Sequence, residues 1–225
     1  YYTVANGLSP PLKAETVNSF VTTILPLHCL DNYPQFAKFL VQVMERYIAK
    51  SEALLPIVLN YLNKHWPITN RNKQTLFLKE YEDLVINFEA RMSQQLSVQF
   101  FRRVNDCIGN QSPSVATTAL GILLNPQLSS LVKNTASSLY FLLIFTISDV
   151  LKNTWDDNTR DSAAATLDLL NDLDPNAYKK ATEMQKSVKF KKSTGTGISK
   201  NSWKKVIDLA KTKYPSFDEF KLEDF

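Results

Sequence analysis

The chain has 225 residues, of which 44% are apolar and 21% charged, with a net charge of +4; that is enough apolar material to bury a core, at a length suited to one ordinary domain or one repeat array. No run of roughly 18 or more apolar residues occurs, since even LYFLLIFTI (139–147) is stopped by Ser148 and Asp149, so no stretch is long and apolar enough to cross a membrane. YYTVANGLSPPLK lacks the parts of a secretory signal, and Cys29 and Cys107 make no disulfide frame, which sets the expectation of an intracellular protein, in the cytoplasm and also the nucleus.

Along the chain one period recurs, the helical one. Val17, Phe20, Val21, Ile24 and Leu25 form a first stripe, which Pro26 ends, so that LPLHC closes one helix and DNYPQF starts the next with Pro34 in its first turn. Phe36, Phe39, Leu40, Val43, Met44 and Tyr47 continue it, and Leu55, Val58, Leu59 and Leu62 make a third stripe before Trp66-Pro67. Phe77, Tyr81, Leu84, Val85 and Phe88 predict a helix whose opposite face, with Glu80, Glu82 and Asp83, is expected to be solvated. Met92, Leu96, Phe100, Val104 and Cys107 follow, with Cys107 expected to be buried and Gly109 to cap the end. Ser112-Pro113, Asn125-Pro126 and Asp174-Pro175 each read as a cap followed by a first helical proline, Asn134 as the cap of the long apolar helix, and WDDNTRDSAAATLDLL as another helix start. STGTG lies in an expected flexible loop over 191–200, Ser202-Trp203 opens a last helix, and 214–225 reads as a tail.

The count is about ten helices, in pairs opening near Lys13, Leu54, Ala90, Asn134 and Pro175, with no strand alternation. That recurrence of roughly 40 residues is the period of HEAT and armadillo repeats. The expected fold is therefore all-α: one helical-repeat solenoid over 1–225, of about five helix pairs. Its first repeat should expose an uncapped apolar end.

Catalytic chemistry finds little support in these residues. His28 and Cys29 are neighbours in an intra-repeat loop, where side chains at i and i+1 do not readily form a thiol–imidazole dyad, and no third group orients them in sequence. Asp156, Asp157, Asp161 and Asp168 miss the glycine and the bidentate glutamate of a calcium loop and read as helix N-terminal carboxylates. STGTG has no phosphate-loop ending. No catalytic, cofactor or metal residue is assigned. Nine lysines between 186 and 213 face only Asp208, so the positive charge is local. A basic nucleic-acid-binding module stays open as an alternative, as does another helical-repeat adaptor or scaffold, but Lys-rich surface without interleaved aromatics favours a solvated face. Partner binding is expected at the loops instead: Trp66 and Trp155 as aromatic anchors, and Asn70, Arg71 and Lys73 as a polar, positively charged loop tip.

NGLSPPLKAETVNSFVTTILPLH, YPQFAKFLVQVMERY, LPIVLNYLNKHWPITNRNKQTLFLKEYEDLV, FFRRVNDCIGNQSPSVATTAL and SWKKVIDLAKTKYPSF, in that order, resemble the B-prime (fifty-six-kilodalton) class of protein phosphatase 2A regulatory subunits. The resemblance implies a non-catalytic HEAT-like regulator that binds the scaffold and catalytic subunits and selects phosphoprotein substrates, with no nucleic-acid or membrane role. YYTVANG aligns with the middle of a full-length member, and Thr16 stands where the class carries a histidine at the edge of its groove for short substrate motifs. The expectation is that this chain keeps part of the loop ridge while lacking most of that groove.

Overall fold

In the computed structural model, which describes residues 2–194, the helices begin where caps and prolines place them and end where the apolar stripes run out. They are α1 (Tyr2–Gly7), α2 (Ala14–Ser19), α3 (Tyr33–Lys50), α4 (Leu54–Lys64), α5 (Arg71–Asn87), α6 (Gln94–Ile108), α7 (Pro113–Leu124), α8 (Ser129–Asn153), α9 (Asp157–Leu173) and α10 (Pro175–Thr194). No strand occurs among the described residues. The α2 helix does not stop at Ser19 but runs into a π-helical turn, Phe20–Ile24, and a 3-10 turn, Leu25–Cys29. Pro26 explains this irregularity. It can neither donate to the turn before it nor tolerate that turn's usual carbonyl position, and the N–H of Leu25 reaches back to the carbonyl of Phe20 instead.

The chain separates into two units, Tyr1–Thr182 and Glu183–Phe225, where the sequence had suggested one. Within the first unit, the α2 segment pairs with α3, α4 with α5, α6 with α7, and α8 with α9. The second members stack in a ladder, α3 on α5, α5 on α7 and α7 on α9, and the first members make a parallel ladder, α4 on α6 and α6 on α8. Two stacked layers of helices are the architecture of a HEAT-like solenoid. Of the second unit, only 183–194 lies among the described residues, as the end of α10. The helix thus takes in 191–194 of the expected loop, while the rest of that loop, Ser202-Trp203 and the 214–225 tail lie outside the described residues.

Two of the pairs open where the 40-residue recurrence puts them, and the third opens at Gln94, four residues after Ala90, behind a 3-10 turn at Glu89–Arg91. The fourth opens at Ser129 rather than Asn134. Asn125 caps a separate 3-10 turn, Pro126–Leu128, by accepting from the Gln127 N–H at 3.0 Å, and the chain enters α8 directly from it. Leu131 and Val132 are buried, and their packing carries the helix through Asn134, a residue that costs a helix interior only tenths of a kcal/mol.

The core runs the length of the two ladders. Phe77, Leu78, Tyr81, Leu84 and Val85 of α5 are fully buried, as are Leu59 and Leu62 of α4 and Phe100 and Val104 of α6. Each such side chain contributes about 1.5–3 kcal/mol by leaving water. Tyr81 and Phe100 meet edge to face, 5.2 Å between centroids, a geometry aromatic pairs prefer. At the first pair, Phe39 is 66% exposed and borders an apolar hollow of about 410 Å³ with Leu27, Leu30, Phe36 and Val43. On α1, Val4 is 60% exposed while Ala5 is buried.

Candidate functional site

Each helix pair turns through a short loop: 30–32 between the first 3-10 turn and α3, 65–70 between α4 and α5, 109–112 between α6 and α7, and 154–156 between α8 and α9. Because the pairs stack in the same sense, successive loops are neighbours, and side chains bond them together. Lys73 Nζ donates to the carbonyl of Leu30 at 3.1 Å, joining the first loop to the second. The Gln74 side-chain amide donates to the carbonyls of Pro67 and Ile68, and its Oε1 accepts from Asn110 Nδ2 at 3.2 Å, joining the second to the third. Between the third and fourth lies a cleft of about 410 Å³, walled by Asn110, Gln111 and Pro113 on one side and Asp149, Asn153 and Trp155 on the other. The four loops line up as one ridge, the first three held together from below and the fourth facing the third across the cleft.

The ridge divides the residues picked from sequence. Trp155 is 77% exposed at the mouth of the cleft, and Arg71 is exposed in the first turn of α5. Asn70 is the cap of α5, its Oδ1 accepting from the Lys73 N–H at 3.0 Å. Trp66 turns inward: its ring meets Phe77 edge to face at 5.7 Å, and the Arg103 guanidinium lies 4.9 Å from its centroid. Lys73 is not at a loop tip. It is only 8% exposed, and its ammonium sits over the rings of Tyr33 and Phe77 on its way to Leu30. One turn into a helix, its long stem covers apolar surface while its head finds a carbonyl. Sequence reasoning passed over Ile68, which is 84% exposed in the second loop. A lone apolar residue between Pro67 and Asn70 has no periodic partner to mark it.

Beneath the first two loops lies a buried polar cluster around Glu80, which the sequence had placed in solvent. Glu80 is 1% exposed rather than solvated, because Tyr33 and His28 project at it from the neighbouring pair. His28 Nε2 lies 2.9 Å from Glu80 Oε1, and the Tyr33 hydroxyl donates to Oε2 at 2.7 Å. The other imidazole nitrogen faces the Leu25 carbonyl at 2.8 Å. Burial alone would lower the pKa of His28, but the carboxylate and its hydrogen bond outweigh that and hold it above the ordinary value. Burial, together with the same carboxylate, pushes the Tyr33 phenol far up, so it remains a donor. His28 therefore has a partner after all, and it is not Cys29: that thiol is exposed, with its sulfur 3.4 Å from the Tyr61 hydroxyl. A histidine clamped between a carbonyl and a carboxylate, in a closed core, has no room for a substrate.

The remaining acidic groups hold the helices. Asp156 caps α9, its carboxylate accepting from the N–H and hydroxyl of Thr159 at 2.8 and 2.6 Å, bonds that lower its pKa. Asp174 caps α10 through the Ala177 N–H. No group of three or more His, Cys, Asp or Glu side chains is placed to hold a metal ion among the described residues.

The sequence matches, over residues 1–210, the family described as protein phosphatase 2A regulatory B subunit, B56 family. It is 24% identical over 213 residues to the 59 kDa B' eta isoform of the serine/threonine protein phosphatase 2A regulatory subunit from Arabidopsis thaliana, covering 93% of this chain and 41% of the relative. It is 25% identical over 220 residues to the human 56 kDa regulatory subunit delta isoform, covering 95% and 36%. To the regulatory subunit psrA of Dictyostelium discoideum it is 26% identical over 190 residues, covering 84% and 30%. The chain thus spans well under half the length of these relatives.

Proposed function

The chain belongs to the B56 family of protein phosphatase 2A regulatory B subunits, and on that premise we propose that it is a non-catalytic regulator, seating its loop ridge on the scaffold and catalytic subunits and steering which phosphoproteins they meet. The observation that carries this reading is the ridge itself. Its first three loops are tied by Lys73, Gln74 and Asn110, so little freedom is lost there when a partner docks. It presents Ile68, Trp155 and Arg71 outward, two large apolar side chains and a cation of the kinds that dominate interface energetics. A rigid edge contacting several surfaces at once is what a targeting protein needs. Its place is the cytoplasm and the nucleus, with the phosphatase core.

The test is co-elution of the chain with a purified scaffold–catalytic dimer, read beside the rate at which that dimer dephosphorylates a phosphothreonine peptide. Association at micromolar concentration is expected, weakened in Ile68→Asp and Trp155→Ala without change in melting temperature, since both side chains are mostly in water. The chain alone should release no phosphate. Failure to co-elute at tens of micromolar would remove the proposal.

A further inference from the structure

Beneath the first loop of the ridge, both nitrogens of one imidazole face acceptors. His28 Nδ1 lies 2.8 Å from the Leu25 carbonyl, and Nε2 lies 2.9 Å from Glu80 Oε1. A neutral imidazole carries a single N–H and can donate to only one of the two; its other nitrogen would set a lone pair against an oxygen. The geometry is therefore that of an imidazolium, with a proton on each nitrogen. Neither His28 nor Glu80 exposes any side-chain surface, so bulk water cannot take the place of a lost proton.

Every element packed around the ring bears on that charge. From α5, Glu80 favours it, while Lys73, whose ammonium lies over the Tyr33 and Phe77 rings, opposes it. From α3, the Tyr33 hydroxyl donates to the second oxygen of Glu80, and from α4 the Tyr61 ring lies 6.2 Å away. Burial keeps both phenols neutral. Burial also works most strongly against the imidazolium, but Glu80 and the two hydrogen bonds outweigh burial and Lys73 together and hold the His28 pKa above its ordinary 6.5.

The ring fastens an irregular piece of backbone. Between α2 and α3 the chain runs through the π-helical turn Phe20–Ile24 and the 3-10 turn Leu25–Cys29, and such departures often mark hinges. Leu25 and His28 both belong to the 3-10 turn, and Leu30 follows directly on it, 45% exposed at the head of the ridge's first loop. On losing one proton, the ring keeps Nε2–H on the carboxylate, the stronger, charge-assisted bond. The lone pair then falls on Nδ1, and two acceptors face each other across 2.8 Å.

We propose that His28 and Glu80 form a proton latch: the imidazolium locks the 3-10 turn onto α5 and so fixes loop 30–32, and loss of the Nδ1 proton releases the turn and loosens the loop. Lys73 and Tyr61 still reach Leu30 and Cys29 after that, each through one hydrogen bond. The latch is closed below about pH 6.5 and opens as pH rises through the native value; in between, the released population climbs by up to about tenfold per pH unit, as one proton requires. The first loop of the ridge is thus set in place for a partner only while the latch is protonated.

The experiment labels the full chain with nitrogen-15 histidine and follows the imidazole nitrogens by NMR from pH 6 to pH 9, with His65→Gln to assign the two rings. In parallel, hydrogen-exchange protection of the amides of 27–32 is measured and corrected for the intrinsic effect of pH on exchange. His28 should carry two protons at pH 6 and lose the one on Nδ1 as pH rises. Protection of 27–32 should fall in the same range, by up to about tenfold per pH unit, and stay below that of α6, while loop 109–112 keeps its protection. Glu80→Gln keeps an acceptor for Tyr33 without the charge, so His28 should lose its proton at a lower pH and the fall should move with it. The wild-type titration decides the question even if Glu80→Gln does not fold. A ring singly protonated across the range, a titration that leaves 27–32 unchanged, an equal fall in loop 109–112, or protection of 27–32 equal to that of α6 at every pH would each overturn the proposal. No phosphatase enters the test, so its outcome is separate from that of docking on the ridge.

Discussion

Replacing Glu80 with alanine removes the group that closes the first two helix pairs onto each other. Its two oxygens take His28 Nε2 at 2.9 Å and the Tyr33 hydroxyl at 2.7 Å, in a place where all three side chains are out of water. Truncating one partner leaves the imidazole Nε2 and the phenol buried and unpaired, which costs about 3–5 kcal/mol. At about 2–4 °C per kcal/mol for a chain of this size, Tm should fall by roughly 6–20 °C. The pH dependence also has a definite sign. Because Glu80 holds His28 above its ordinary 6.5, the native chain keeps a proton that the unfolded chain releases. The stabilisation is fully present below about pH 6.5 and fades as pH rises through the native value. Urea melts followed by circular dichroism from pH 6 to pH 9 should show the wild-type midpoint falling relative to Glu80→Ala over that range. Combining His28→Leu, Tyr33→Phe and Glu80→Met should recover most of the loss, since an apolar replacement of a whole buried network is often neutral. A loss below about 1 kcal/mol, or a difference between the two melts that grows with pH, would refute the reasoning.

Other consequences are simpler to read. Cys29 is exposed and Cys107 is 3% exposed, with burial pushing its thiol up to about 12, so a thiol reagent should label one cysteine quickly in the native chain and the second only on unfolding. Cys107→Ser should cost about 1–3 kcal/mol, and Cys29→Ser should stay within about 0.5 kcal/mol; both are read by urea denaturation. Asn70→Ala removes the cap of α5 and should cost about 0.5–2 kcal/mol, with Asn70→Asp, which keeps the acceptor, close to wild type.

The helices were legible because apolar periodicity and proline placement are local signals. Pro113 and Pro175 mark first helical turns, and the stripe through Leu96, Phe100, Val104 and Cys107 is the buried face of α6. Asn134 misled because a cap residue inside a helix looks the same in sequence, and only the burial of Leu131 and Val132 decides. Glu80 misled for a different reason. Its helix has an apolar stripe, so a carboxylate off that stripe is expected in water, but in a stacked array a helix touches neighbours on more than one side. The partner that buries Glu80 is 52 residues away, and no spacing within α5 announces it. Lys73 belongs to the same contact. The ridge could be anticipated as a set of loops, whereas which side chains face out of it depends on hydrogen bonds between repeats: Arg71 and Trp155 remain outside, Trp66 and Lys73 go inside, and Ile68 had no pattern to reveal it.

The central claim is that the loop ridge is the surface on which the phosphatase core docks. Hydrogen–deuterium exchange of the chain, alone and with an excess of scaffold–catalytic dimer, tests it most directly, because amides covered or rigidified by a partner slow in the complex. The account predicts slowed exchange in the segments that include loops 30–32, 65–70, 109–112 and 154–156, with the opposite helix ends around 51–53, 88–93 and 125–128 unchanged. Slowing at those opposite ends with an unprotected ridge, or no change anywhere at saturating dimer, would contradict it.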